Sequence, residues 1–287
     1  MERRRFLLVL AAGLASASAG HGVSELLGPD RAPSPAPKAT PETAAQSVAQ
    51  PAAAKAPAAV QGLVPVVPPA GVVDALPGDG TSLALTIDDG TNSDVVAGFA
   101  TFAADTGVRL TFFPNGRYRS WQDSAPALRP LVESGQVAFG NHTWSHPDLT
   151  TLADTEVAEE IRRNQEFLRR TFGIRDTPFF RPPYGAHDDR VDRIAADLGH
   201  PSVVMWDGTL GDSRLLSAAE LISAAQEWFT AQRIVVGHAN QPTVTTVYDD
   251  LLGLITERGL RTVTLADVWA TSSTRLRGTQ ASGQVRR

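Results

Sequence analysis

The sequence predicts an α/β fold in which about seven short parallel strands form a barrel or an open sheet. Two observations carry this prediction. Short apolar runs alternate with windows of helical periodicity between Leu83 and Val263, a pattern typical of parallel strands joined by crossover helices. Polar side chains directly follow five of the apolar runs, and ligands collect at the carboxyl ends of the strands in both architectures.

Each predicted strand is a short apolar run bounded by turn or polar residues. The first, Leu83–Asp88, ends in two adjacent carboxylates. Neighbouring side chains of a strand point to opposite faces, so Asp88 and Asp89 diverge unless the strand ends between them, and Gly90 allows a turn there. A simple Asp-Asp-Gly turn is the alternative interpretation. The other strands are predicted at Val108–Phe113, Val137–Gly140, Pro178–Phe180, Ser202–Trp206, Arg233–Val236 and Arg261–Val263.

The helices are predicted from apolar residues that recur at intervals of three and four. The clearest is Glu156–Phe172, in which four apolar side chains share one face. Asp154 or Thr155 can cap its start, and Gly173 can end it. The other helices are predicted at Ser93–Asp105, Ala125–Ser134, Asp189–Leu198, Ala218–Thr230 and Thr245–Arg258.

The chain begins with a predicted export signal, residues 1–19. Arg3–Arg5 give it a basic start with a twin-arginine pattern, Phe6–Leu14 form a short apolar stretch, and Ala17–Ala19 offer a cleavage site. An ordinary secretory signal with a fortuitous arginine pair is the alternative, and both predict an exported protein of the cell envelope or the cell exterior. The apolar stretch is too short for a membrane span, so a membrane tether is predicted only if the signal remains uncleaved.

Composition divides the remainder into three parts. Residues 20–76 are predicted to be a disordered Pro/Ala-rich linker, because they carry ten of the chain's 20 prolines and Ala-Pro runs favour extended coil. Residues 77–270 form the predicted folded domain, and the polar residues 271–287 form a predicted disordered tail.

Several kinds of function are excluded by composition. The chain has no cysteine, which excludes disulfides, thiol catalysis and cysteine-based zinc sites. Its net charge of −5 argues against nucleic acid as a partner. Without disulfides the stability must come from one sizeable core, and the protein is predicted to be a monomer.

Candidate functional residues stand at the strand ends. The spacing of His142 and His146 places two imidazoles one helical turn apart, within reach of one metal ion. One carboxylate added to them makes a facial ligand set with open positions, as in catalytic metal sites. Two unrelated surface histidines are the alternative. Further strand ends carry Arg181–Gly185, Trp206–Asp207 and His238.

Taken in order, these motifs resemble those of the polysaccharide deacetylases, carbohydrate esterase family 4, which contains the chitooligosaccharide deacetylase homology domain. The motifs are Thr86–Gly90, His142–His146, Arg181–Gly185 and His238. Their order and spacing agree over roughly residues 80–270. The resemblance implies that the α/β fold is a distorted (β/α) barrel of about seven parallel strands and that residues 77–270 are a catalytic domain.

The resemblance also implies roles for the motif residues. Asp89, His142 and His146 would bind a divalent metal ion, usually zinc. Asp88 would be the general base for the attacking water, and His238 the general acid that protonates the departing amine. These roles agree with the chemistry of the groups, because a carboxylate near cations stays ionised and an imidazole can deliver a proton near pH 7.

Further residues are carried over in the same way. Arg181 would hold and tune Asp88, and the backbone N–H of Tyr184 would help to stabilise the oxyanion. A salt bridge for Arg181 and a packing role for Tyr184 are the alternatives. The predicted substrate contacts are Pro182, Pro183, Tyr184, Trp206 and Trp144.

The sequence departs from the family pattern at two places. Many members carry an Asp-Ser-x-Asp-Trp-like segment where this chain has Thr209–Ser213. Asp212 can still orient and charge His238, but Ser213 replaces a groove-lining tryptophan. Asn240 stands where an aspartate is common. These departures leave the reaction unchanged and bear on glycan specificity.

The predicted function is therefore metal-dependent removal of N-acetyl groups from an N-acetylglucosamine-containing polysaccharide. Peptidoglycan is the first candidate substrate, because the chain carries an export signal and a long linker. Two alternatives remain: an O-acetyl polysaccharide esterase such as an acetylxylan esterase, and a non-enzymatic glycan-binding wall protein. The presence of all the motif side chains counts against the non-enzymatic protein.

Overall fold

A computed structural model describes residues 62–269 of the chain. The predicted signal 1–19, the linker residues 20–61 and the tail 271–287 lie outside the described residues. Within the described part, no helix combines the length and the apolar character needed to cross a bilayer.

Residues 62–269 contain nine strands and eight α-helices. The strands are β1 (Gly71–Val73), β2 (Ser82–Asp89), β3 (Leu110–Pro114), β4 (Val137–Phe139), β5 (Phe179–Phe180), β6 (Ser202–Val204), β7 (Gly208–Thr209), β8 (Arg233–His238) and β9 (Arg261–Thr262). The helices are α1 (Ser93–Thr106), α2 (Ser120–Asp123), α3 (Ala125–Ser134), α4 (Asp154–Phe172), α5 (Asp189–Asp197), α6 (Ala218–Trp228), α7 (Tyr248–Glu257) and α8 (Leu265–Val268). The alternation of strands and helices agrees with the predicted order.

The strands pair in parallel and fall into two sheets. The larger has the order β4-β3-β2-β8-β7, with β9 paired to the start of β2, and the smaller has the order β1-β6-β5. Two isolated bridges, Asn141 with Phe180 and Ala75 with Arg233, join the sheets. The strands thus form the predicted distorted α/β barrel, with nine strands in the described region rather than about seven.

The central strand β2 is buried along its whole length, as parallel strands with both faces covered are. Leu83, Leu85 and Ile87 pack in the largest apolar cluster together with the helices, which confirms their prediction as one face. Ala84 belongs to a second cluster with residues of the smaller sheet. Because side chains alternate along a strand, Asp88 points to the same inner side as Ala84.

Helix α4 has the predicted apolar face, since its four predicted core side chains are all buried. Its end is also as predicted, with Gly173 in the left-handed conformation at φ 74°. The cap differs from the prediction, because Ala153 occupies the N-cap position. The Glu156 carboxylate accepts from the Ala153 N–H at 2.9 Å and so satisfies one free amide of the first turn.

The predicted helix Thr245–Arg258 is divided in two. A 3₁₀ turn covers Pro242–Thr246 and α7 follows it, because Val247 between them has a φ of −122°. The break shortens α7 to ten residues.

The predicted boundary between linker and domain at residue 76 is wrong. β1 pairs with β6, Val66 bridges to Trp269, and the Leu76 side chain is buried. The proline content suggested coil, but the valines of β1 satisfy their backbone groups on the edge of the smaller sheet. Tertiary pairing of this kind overrides local composition.

Candidate active site

The end of β2 is a strained turn that carries two adjacent carboxylates. Asp88 lies beside His238 in the register of β2 and β8. The backbone then turns, with φ of 68° at Asp89 and 94° at Gly90. A positive φ is uncommon for a residue other than glycine, and such strain clusters at functional sites. β2 runs through Asp89, so the strand does not end between the two carboxylates, and the left-handed backbone at Asp89 redirects its side chain instead.

Trp121, from the short helix α2, holds this turn. Its indole N–H donates to the Asp89 carbonyl at 2.8 Å, and the Ser120 hydroxyl donates to the Gly90 carbonyl. A Cβ at position 90 would lie 2.2 Å from the indole nitrogen. Only glycine therefore fits there.

His142 and His146 come together in a loop, not on a helix. The loop follows β4 and has positive φ at Thr143 (68°) and His146 (64°). The Thr143 hydroxyl accepts from the His146 N–H at 3.2 Å, and Asn115 donates to the His142 carbonyl at 2.6 Å. The loop conformation, and not the predicted spacing of one helical turn, brings the two rings together.

One oxygen of Asp89 faces both histidines. Asp89 Oδ1 lies 3.4 Å from His142 Nε2 and 3.3 Å from His146 Nε2, and the three ligand atoms are within 4.8 Å of one another. Asp89 Oδ1 is buried and has no hydrogen-bond partner among the described residues. A buried carboxylate oxygen without a partner is costly, so two nitrogens and one such oxygen fit a divalent cation.

The protonation states also suit a metal. The Arg181 carbonyl lies 2.7 Å from His142 Nδ1, and since a carbonyl can only accept, Nδ1 carries a proton, which in the neutral ring leaves Nε2 free to bind a metal. Burial opposes ionisation of Asp89, but its electrostatic interactions with His142, His146 and His238 hold its pKa below its ordinary value. Burial, followed by the charge of His142, lowers the pKa of His146. An ionised carboxylate and neutral imidazoles are the forms that bind metal.

Asp88 is paired with a fully buried arginine. Arg181 Nη1 donates to Asp88 Oδ1 at 2.8 Å and to the Thr86 hydroxyl at 2.8 Å. Its remaining nitrogens donate to the carbonyls of Val204 and Met205. Removing either member of a buried ion pair leaves the other uncompensated. The structure thus brings Arg181 to Asp88, as the resemblance implied.

His238 is paired with Asp212. His238 Nδ1 lies 2.9 Å from Asp212 Oδ1, and the His238 N–H donates to the other carboxylate oxygen at 3.1 Å. Burial disfavours the imidazolium, but the Asp212 hydrogen bond and the charges of Asp88, Asp212 and Asp89 raise the pKa of His238 above its ordinary value. The predicted partner of His238 is therefore in contact with it.

The predicted substrate contacts are only partly gathered at the site. Tyr184 is 70% exposed, has φ 61°, and sets its ring against His146 with centroids 4.4 Å apart. Pro182 and Pro183 beside it are buried. Trp206 lies under the Arg181 guanidinium, 5.5 Å from the ring centroid.

Trp144 points elsewhere, contrary to the prediction that it contacts substrate. The Arg163 guanidinium stacks 4.2 Å from its ring centroid, and Phe167 meets the ring edge-on at 6.3 Å. Both partners belong to α4. Because the histidines at 142 and 146 turn towards Asp89, the tryptophan between them packs on the helix.

A buried polar network supports the loop that carries His142. Asn141 accepts from the Thr143 N–H at 3.0 Å and from Asn164 of α4 at 3.0 Å. Its amide donates to the Ile161 carbonyl at 2.9 Å and lies 3.3 Å from His200 Nε2. A satisfied network in a low dielectric rigidifies its surroundings, so the network keeps the ligand loop in place.

His200 makes this network sensitive to acid. Its Nδ1 lies 2.7 Å from the Thr177 carbonyl, and burial lowers its pKa to about 4. The unfolded chain protonates His200 near pH 6.5, so the stability it contributes is complete above that pH and is lost as pH falls towards 4. We expect about 2–3 kcal/mol of pH-dependent destabilisation between pH 7.5 and 4.5 from this group.

Denaturant titrations at the two pH values measure this loss. Between pH 7.5 and 4.5, the free energy of unfolding of the wild-type protein should fall by about 2–3 kcal/mol more than that of a His200→Gln variant. Equal pH dependence of the two proteins would show that His200 is not a neutral buried group.

Sequence reasoning missed two residues that shape the site. Asn115 directly follows β3, so the rule that polar residues at strand ends form the site could have found it. Trp121 follows no strand, and nothing in its local sequence indicates a contact with Asp89. Asn240, seen in the sequence only as a departure from the family, donates to Asp89 at 2.6 Å.

Comparison with known proteins agrees with the resemblance to the polysaccharide deacetylases. Residues 76–203 match the family model described as "Polysaccharide deacetylase". The peptidoglycan-N-acetylglucosamine deacetylase PgdA of Listeria monocytogenes is 30% identical over 187 residues, which cover 65% of this chain and 38% of the relative. Chitin deacetylase 1 of Cryptococcus neoformans is 34% identical over 134 residues, 45% of this chain and 26% of the relative. The chain thus spans well under half the length of these curated relatives.

A solved structure agrees with the fold. A pseudoenzyme of carbohydrate esterase family 4 from Bacillus anthracis superposes with a TM-score of 0.60 at 19% identity, over 69% of this chain and 68% of the other. Likeness at this identity concerns the fold alone, and the activity must be argued from the site residues. Residues 76–203 thus match the polysaccharide deacetylase family, and the two curated relatives are named as deacetylases of peptidoglycan and of chitin.

Proposed function

We propose that the protein is an exported, metal-dependent hydrolase that removes N-acetyl groups from an N-acetylglucosamine-containing glycan, with peptidoglycan as its substrate. One observation carries the proposal. The unpartnered Oδ1 of Asp89 faces two histidine nitrogens, and Asp88 and His238 lie beside it at the paired ends of β2 and β8. A metal site beside a general base and a general acid can hydrolyse an acyl bond.

Asp89, His142 and His146 would hold the ion, and their donor set of two nitrogens and one oxygen suits Zn²⁺. When bound, such an ion lowers the pKa of water and polarises a carbonyl. The protein's own part is to present the three ligands in their binding forms, as the hydrogen bond of His142 to the Arg181 carbonyl favours.

Asp88 would take the proton of the attacking water. Arg181 keeps the Asp88 carboxylate in one orientation through the 2.8 Å hydrogen bond to Oδ1, which leaves Oδ2 for the proton. Because Arg181 and Asp88 are both buried, their interaction lies in a low dielectric, and the carboxylate is held firmly.

His238 would give its proton to the nitrogen of the departing amine. An amine is a poor leaving group unless it is protonated, and an acid with a pKa near the working pH does this best. The pairing of His238 with Asp212 at 2.9 Å favours the charged imidazole. The Tyr184 N–H would serve the oxyanion, and Pro182, Pro183, Tyr184 and Trp206 would line the sugar site.

Peptidoglycan is proposed as the substrate for two reasons. The Listeria relative is named for peptidoglycan N-acetylglucosamine, and the predicted signal would deliver this chain to the cell wall. Ser213 is exposed where many family members carry a tryptophan, so this chain offers less stacking surface to a short oligomer. Polymeric glycan can compensate through contacts remote from the reacting bond.

Mass spectrometry of glycans incubated with the Zn²⁺-loaded protein tests the proposal. Peptidoglycan should lose acetyl groups and gain free amines, chitin trimers should react more slowly, and acetylated xylan should remain unchanged. Loss of acetyl groups from xylan alone would make the protein an O-acetyl esterase. Unchanged masses for all three glycans, with glycan binding retained, would make it a binding protein.

A further inference from the structure

Asn240 connects the end of β8 to the proposed metal ligand on β2. The residue lies two positions after His238 and is half-buried. Its Nδ2 donates to Asp89 Oδ2 at 2.6 Å. Its Oδ1 accepts from the Thr91 N–H at 3.1 Å and from the Thr91 hydroxyl at 2.9 Å.

The orientation of the Asn240 amide follows from these partners. The backbone N–H of Thr91 can only donate, so the group that faces it must be the carboxamide oxygen. The NH₂ group therefore faces Asp89, whose carboxylate can only accept. Thr91 thus fixes which end of Asn240 meets the Asp89 carboxylate.

Because of this contact, the two oxygens of Asp89 have different surroundings. Oδ2 is occupied by the amide, while Oδ1 is buried without a partner and faces His142 and His146. Asp89 itself sits in a strained backbone conformation. A carboxylate on such a turn could rotate to offer either oxygen unless a neighbour restrained it.

We propose that Asn240 is a positioning residue for the metal, which orients the Asp89 carboxylate so that Oδ1 alone is presented to the ion. This inference rests on the proposed function, since it takes Asp89, His142 and His146 as the ligands. An amide suits the task because it donates without adding charge. An aspartate at position 240 would place a second hydrogen-bond acceptor beside Asp89 Oδ2, and the two carboxylates would have to share a proton.

Zn²⁺ binding to the metal-free protein tests the inference without any assay of turnover. Hydrogen-bond partners of metal ligands typically contribute about 10–100-fold to metal affinity, so the Zn²⁺ dissociation constant of Asn240→Ala should rise about 10–100-fold. Thr91→Val should raise it less, because the Thr91 N–H still holds the Asn240 oxygen. Gln241→Ala is the matched control and should bind Zn²⁺ as the wild type does.

The melting temperature of each metal-free variant separates positioning from folding. Asn240→Ala should melt close to Gln241→Ala without metal and fall below it when Zn²⁺ is added. Wild-type Zn²⁺ affinity in Asn240→Ala would overturn the inference and leave the proposed function standing. Weaker Zn²⁺ binding in Asn240→Ala would support the inference even if no glycan is deacetylated. A wild-type protein that binds no Zn²⁺ would overturn both.

Discussion

Replacing Asp88 with asparagine should lower turnover about 10²–10⁴-fold, the range that general acid–base catalysis contributes. The amide keeps the size of the side chain but cannot accept the proton of the attacking water. Metal content should remain near that of the wild type, because Asp88 lies 3.9 Å from His142 Nε2 and outside the three-ligand group. Substrate binding should also persist, so the loss should fall on kcat rather than on KM.

The same substitution should lower stability, because Arg181 loses its counter-charge inside the protein. Leaving one member of a buried ion pair alone costs about 3–5 kcal/mol, so activity must be measured well below the melting temperature of the variant. Thr86→Val is the matched control, since it removes another hydrogen bond of Arg181 and leaves the Asp88 carboxylate in place. Its turnover should fall far less than that of Asp88→Asn.

Metal content, melting temperature and turnover of the two variants decide the role of Asp88. A folded, metal-loaded Asp88→Asn protein with nearly wild-type turnover would show that Asp88 is not the base. Equal losses of turnover in both variants would assign the effect to Arg181 and not to proton transfer.

Replacing His146 with alanine should remove most of the bound Zn²⁺ and with it nearly all activity. The variant loses one of the three ligand atoms that lie within 4.8 Å of one another, and two ligands hold an ion far more weakly than three. The metal-free variant should stay folded, because the His146 side chain is 19% exposed at the rim and contributes little to the core.

His187→Ala is the matched control for this experiment. Its side chain is 21% exposed and contacts Asp192 at 2.9 Å, outside the three-ligand group. Metal analysis after dialysis should find Zn²⁺ in His187→Ala and little in His146→Ala. Full occupancy in the His146→Ala protein would contradict the assignment of this histidine as a ligand.

Local sequence patterns predicted much of the fold. The burial of β2 followed from its apolar run, and α4 followed from an apolar face of helical period that ends at Gly173, because both depend on residues close in the chain. β1 and β7 did not follow, since β1 lies in the proline-rich stretch and β7 has no apolar run, and each exists only through pairing with β6 or β8. Short strands of this kind are stabilised by neighbours that lie far away in sequence.

The order of residues along the chain specifies which chemical groups stand at the strand ends, because the alternation of strand and helix brings those ends together wherever each strand begins. Asp88, Asp89, His142, His146, Arg181 and His238 follow from that order and from the family motifs. The tertiary structure alone decided their directions. The positive φ at Asp89 and His146 turns the ligands to one point, Trp144 packs on α4, and the Asn240 amide meets an Asp89 oxygen across 151 positions of sequence. Backbone strain and contacts between distant residues depend on the packed neighbours that impose them, and no local pattern encodes those neighbours.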